Sequence, residues 1–225
     1  MTNLHLDELD FILEHYDSGI FSFQMCPPPL FPEIMKINHL RMRATTHESA
    51  GAKDLSQEAY ETLSRICGFS PEQWAESKSS STEDWLLLGN VYQAAVVLYC
   101  ISSLQSLSVL PLARSLRARC TTHGQRLQML LNEALSSPRI KRFMLWPLVL
   151  LGVEAVNGGV AMRAFVEKQL PEMSRHVGTH VPLTAKAVLE RFWASGETRW
   201  DACFDKPYAF ATQIAVDLSR ISPLR

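Results

Sequence analysis

The sequence lacks closely spaced cysteines. Its five, Cys26, Cys67, Cys100, Cys120 and Cys203, are odd in number and far apart, and no C-x-x-C pair occurs. A disulfide framework and a zinc module are not expected, and a reducing compartment, cytoplasmic or nuclear, is. No phosphate-cradling glycine loop, no G-x-S-x-G and no H-E-x-x-H is present, which removes the common nucleotide-binding, serine-hydrolase and metalloprotease signatures. The first ten residues, MTNLHLDELD, are acidic and lack the basic start of a secretory signal. No run alternates apolar and polar residues long enough to read as a strand, and no repeat of fixed period occurs.

Apolar material is plentiful. Hydrophobic residues make up 47% of the 225 and charged residues 20%, a balance that supports a packed core and excludes disorder along the whole chain. The formal net charge of -1 excludes a globally basic nucleic-acid binder. Charge is nonetheless uneven. Residues 1–84 carry 14 acids against 6 bases, whereas residues 114–142 carry Arg114, Arg117, Arg119, Arg126, Arg139, Lys141 and Arg142 against Glu133 alone. Such a segment is either a phosphate-binding surface or, more commonly, a solvated basic face matched to acids elsewhere in the chain.

Helical periodicity runs through the sequence. The spacing of Leu9, Ile12, Leu13 and Tyr16 predicts a helix over 3–16. The prolines 27–29 read as an extended connector, and Pro32 suits the first turn of a helix that buries Ile34, Ile37 and Leu40. A helix over 56–67, with Ser56 as its N-cap, is followed by a capping-box start at Ser70. Further helices are expected from about Glu83 to Leu107, from beyond Pro111 to about Ser136, and over 141–156, 160–176, 184–194 and 208–219. Pro147 is expected to kink the 141–156 helix. Loops are expected near 45–54 and 77–82. The predicted architecture is all-α, an array of about eight or nine helices in a single helical domain over 1–225.

No charged residue lies between Asp84 and Arg114, so this stretch could pass for a membrane span. Gly89, Asn90, Gln93 and the serines after Ile101 interrupt it, and a buried core helix is expected instead, with no membrane span. His176 and His180 are four apart, but Gly178 and Pro182 end any shared helix face, and no metal site is expected. Asp201, Cys203 and Asp205 lack a histidine partner and read as a turn with a buried cysteine. Six aromatics fall within residues 192–210. Together with Trp146 and Glu154 they suit either a well-packed helical core or an aromatic wall around an apolar pocket. Glu154, flanked by Val153 and Ala155, needs a partner such as Arg163 or a raised pKa.

Several ordered segments carry a family resemblance. They are Leu145-Trp146-Pro147-Leu148, Gly152-Val153-Glu154-Ala155, Arg163 with Phe165, Val166 and Leu170, Leu189-Glu190-Arg191-Phe192-Trp193, Trp200-Asp201-Ala202-Cys203-Phe204 and Pro207-Tyr208-Ala209-Phe210. Upstream, Ile34–Leu40, Ile66-Cys67-Gly68-Phe69 and Tyr92–Leu104 fit the same pattern. Over about residues 25–215 the chain resembles the C-terminal part of the regulatory domain of fungal zinc-cluster transcription factors. The six-cysteine DNA-binding module of that family has no counterpart in this sequence.

The resemblance implies half of a ligand-sensing helical domain. The expected function is binding of a hydrophobic small molecule, regulatory in fungal secondary metabolism, without specific nucleic-acid binding, without a cofactor and as a homodimer. The alternative is the same fold recruited as a cofactor-free cyclase, pericyclic and Diels–Alder-type, acting on a terpenoid or polyketide. Such a reaction needs positioning and a hydrogen-bond donor or two, and leaves no motif. The expected ligand-binding residues are Trp146, Glu154, Arg163, Trp200 and Tyr208, with Glu154 and Tyr208 as catalytic candidates in the cyclase reading.

Overall fold

Twenty-nine successive uncharged residues, 85–113, cannot hold a solvated face, and the fold places most of them at its centre. The computed structural model describes residues 26–46, 52–78, 81–204 and 208–212. In chain order the helices are α1 (Phe31–Thr45), α2 (Ala52–Gly68), α3 (Pro71–Glu76), α4 (Thr82–Ser106), α5 (Arg114–Ala134), α6 (Leu145–Gly158), α7 (Val160–Val177), α8 (Val181–Ser195), α9 (Trp200–Cys203) and α10 (Ala209–Thr212). The chain is all-α over these residues, with no strand among them.

Helix α4 packs against α1, α2, α3, α5, α6 and α9. Residues on every side of it, from Leu88 to Ile101, are therefore buried. It is long and apolar enough to cross a membrane, but 78% of its most apolar window is covered by its neighbours. A helix that is apolar all round and already enclosed by protein is a core helix. The buried Gln93 in its middle donates to the carbonyls of Ile66 and Phe69 (3.1 and 2.7 Å) and so caps the end of α2. Helices α6, α7 and α8 stack in order, and α5 bridges α4 to α6.

Local signals set most helix ends. Pro32 stands in the first turn of α1, and Ser70 Oγ accepts the Gln73 N–H at 3.2 Å to start α3. Several expectations need correction. Residues 27–30 form a turn rather than an extended connector, with the Leu30 N–H on the Pro27 carbonyl at 2.8 Å. Helix α2 starts at Ala52, so Ser56 lies inside it. Residues 141–143 form a 3-10 turn, and α6 begins only at Leu145. Pro147 therefore sits in the first turn, where its missing N–H has no intrahelical partner to lose, and it produces no interior kink. The carbonyl one turn before Pro147, that of Phe143, accepts the Tyr92 hydroxyl at 3.2 Å. The expected helix over 3–16 lies outside the described residues. So do the centres of both expected loops, 47–51 and 79–80, and the 213–219 end of the last helix.

Candidate functional site

Three helix faces meet at one groove. Ser102 and Gln105, three apart, lie at the end of α4. Arg114 and Arg117, also three apart, lie in the first turns of α5. Val153, Glu154 and Asn157 share one side of α6. With Leu112, Ala113, Thr198 and Arg199 they line a cavity of about 350 Å³. Helix α5 opens at Ala113 with no side-chain cap and no acid in its first turn.

Glu154 is the buried charge of this site, only 4% exposed. Its Oε1 accepts a hydrogen bond from Arg117 Nη2, whose own side chain is 39% exposed toward solvent. Arg163, the partner expected from sequence, is elsewhere: its Nε and Nη2 donate to the carbonyls of Ala155 and Val156 (3.2 and 3.3 Å) and cap α6, while its guanidinium lies 5.9 Å from the Trp193 ring. Burial raises the Glu154 pKa to about 7, and the neighbouring Arg117 offsets only part of that rise. Cys120, also on α5, is pushed up to about 12, first by burial and then by Glu154. The two helices approach closely because α5 carries glycine opposite Glu154. A Cβ on Gly124 would stand 2.9 Å from Glu154 Cγ. The Nε of Arg117 is buried without a hydrogen-bond partner.

Of the five residues expected to bind ligand, Glu154 is the one that lines this groove. Trp146, Trp200 and Tyr208 stand in a continuous series of ring contacts. Trp146 stacks on Tyr92 (centroids 6.0 Å) and meets Tyr99 edge-on at 5.7 Å. Tyr99 meets Trp200 at 5.1 Å, Trp200 meets Phe204 at 4.8 Å, and Tyr208 stacks on Phe210 at 4.9 Å. The Trp146 indole N–H reaches the Ala211 carbonyl at 3.4 Å. The series ties α4, α6, α9 and α10 together. Arg114, Arg117 and Arg199 were not singled out as ligand contacts from sequence. The signal was present in part, as the basic excess of 114–142.

That excess is only partly matched inside the chain. Arg139 pairs with Asp84 at 3.3 Å, Arg117 pairs with Glu154, and Arg126 donates to Asn90. Arg114 has no acidic partner among the described residues. No group of three or more His, Cys, Asp or Glu residues that could hold a metal ion occurs among the described residues.

Residues 2–207 match the model of the fungal specific transcription factor domain. The chain belongs to this family. A relative from Leptosphaeria maculans (strain JN3), named "Phomenoic acid biosynthesis cluster-specific transcriptional regulator", is 57% identical over 218 residues, which cover 97% of this chain and 42% of the relative. The chain thus spans about two fifths of that curated relative's length. No solved structure matches the chain.

Proposed function

We propose that this chain is a regulatory region of a fungal transcription regulator that controls genes of secondary-metabolite biosynthesis. The observation that carries the reading is 57% identity over 97% of the chain to a protein named as a cluster-specific regulator. Identity at that level over a sequence of this length is well above what packing demands of a shared fold alone. The family match over 2–207 supports the same conclusion.

In this reading the described helices do not read DNA. The arginines Arg126 and Arg139 already bond within the fold, and sequence readout needs side chains free to reach base edges. DNA contact comes from another segment or a partner, and these helices bias its outcome in the nucleus through a bound small molecule. The groove of about 350 Å³ is of a size that holds one. The chain works as a homodimer, and sedimentation at micromolar concentration measures that directly.

The test is deletion of the gene in its fungal host, with transcripts and metabolite followed together. Transcripts of secondary-metabolite biosynthetic genes are expected to fall along with the metabolite. Loss of the metabolite while those transcripts persist would overturn the regulatory reading and favour a cofactor-free cyclase.

A further inference from the structure

The first turns of α5 are electrostatically inverted. Helices gain about 0.3–1 kcal/mol from an acid near the N-terminus, because free N–H groups and the aligned peptide dipoles make that end positive. Here the first turn has no acid and the N-cap supplies no side-chain acceptor. Arg114 and Arg117 stand there instead, and both line the groove together with Arg199. Three guanidinium groups thus line one cavity together with a helix N-terminus, and the single acid opposite them is Glu154. Arg199 is held only by a loose contact of 3.7 Å to Glu197, both side chains being more than half exposed, and such pairs hold little. The buried Nε of Arg117 has no partner, although a buried donor is normally satisfied.

The walls say what kind of anion fits. Leu112, Ala113 and Val153 are apolar, and Leu112 is 89% exposed beside the opening. An apolar side chain left that open at the mouth of a cationic groove suits a ligand with a hydrocarbon portion. Glu154 at the groove disfavours a doubly charged group such as phosphate by like-charge repulsion.

We infer that this groove binds an amphiphilic organic acid, its carboxylate held by Arg114, Arg117 and Arg199 and its hydrocarbon part laid along Leu112, Ala113 and Val153. Guanidinium groups match a carboxylate in both charge and geometry. The N-terminal N–H groups of α5 add donors to the same oxygen atoms. With its pKa raised to about 7, Glu154 is only partly ionised at neutral pH, which reduces the repulsion that a singly charged carboxylate meets. The ligand class deepens the regulatory reading, and binding by the purified chain stands or falls apart from any effect on transcription.

The test is calorimetric titration of the 225-residue chain with octanoate, 1-octanol and inorganic phosphate as separate probes. Octanoate is expected to saturate one site per chain, and 1-octanol to bind about tenfold more weakly or worse. The double variant Arg114→Gln/Arg199→Gln is expected to lose about tenfold or more in octanoate affinity. Its unfolding temperature without probe should match the parent, since both side chains are exposed. Should the double variant fold poorly, Arg114→Gln alone carries the comparison with the same expectation. No saturable octanoate binding, equal affinity for 1-octanol, or unchanged affinity in the variants would each overturn the inference. Phosphate binding tighter than octanoate would overturn it as well, by showing a site for small inorganic anions.

Discussion

Replacing Glu154 by glutamine tests how the protein holds its buried acid. In the unfolded chain this carboxyl titrates near 4.5, and in the fold near 7. Below pH 4.5 both states keep the proton, and the full contribution of the neutral buried acid is present. Between pH 4.5 and 7 the unfolded chain ionises first, so stability falls by about 1.4 kcal/mol per pH unit where the protonation difference is complete. Above pH 7 both states are ionised and the loss levels off. The interval gives about 3 kcal/mol as an upper bound, and solvent around the half-exposed Arg117 trims it to about 1–3 kcal/mol. Glutamine keeps the shape of the neutral acid and has no proton to lose. From pH 4.5 to pH 8 the variant should therefore gain about 1–3 kcal/mol on the parent, or about 3–10 °C in unfolding temperature for a chain of this size. Burial, with the charges of Arg126 and Arg119, lowers the His123 pKa from 6.5, so that residue loses stability in the opposite direction, as pH falls below 6.5. Comparing the two proteins at each pH cancels the histidine. Thermal melts at half-unit pH steps are the assay. A difference that stays flat with pH would refute the raised pKa, and a variant that falls behind as pH rises would show that the Arg117 pair dominates burial.

Three other substitutions probe the packing around the site. Gly124→Ala places a Cβ 2.9 Å from Glu154 Cγ and should cost about 1–3 kcal/mol in a denaturant titration; an unchanged midpoint would show that α5 and α6 are free to separate there. Trp146→Phe removes the N–H on the Ala211 carbonyl and part of the stack on Tyr92, at about 1–2 kcal/mol. Limited proteolysis should then cut sooner near Ala209–Thr212, and identical cleavage rates would count against the ring series as the tie. Arg163→Gln uncaps the carbonyls of Ala155 and Val156 at about 1 kcal/mol, and Arg163→Lys should fail to restore it because a single ammonium does not span both carbonyls; full rescue by lysine would reduce the role to charge.

Helix α4 was legible almost to the residue, expected over Glu83–Leu107 and found over Thr82–Ser106, because an uncharged run bounded by acids and a proline leaves little choice. Helices α5, α7 and α8 were legible for the same kind of reason, with Pro111, the glycines at 158–159 and Gly178 as punctuation. The start of α6 was misplaced because Phe143 and Met144 continue its apolar run, and composition does not distinguish a 3-10 turn from a first helical turn. The apolar flanks of Glu154 marked it as an acid in need of a partner or a raised pKa, and its pKa is raised, but the base suggested for it, Arg163, nine residues away, is not its partner. The actual partner, Arg117, is 37 residues distant. Which neighbouring helix faces a given side is a property of packing, and the pattern along one helix does not encode it. The aromatics between 192 and 210 were read from density alone, which does not say whether rings enclose space or fill it. In the fold they meet one another at centroid distances of about 5–6.5 Å.

The most direct measurement of a role in transcription is chromatin immunoprecipitation of the tagged protein in a fungal host under metabolite-producing conditions. A regulatory role predicts enrichment at promoters of the biosynthetic genes whose transcripts fall when the gene is deleted. A protein that is abundant in producing cells but shows no promoter enrichment would contradict it.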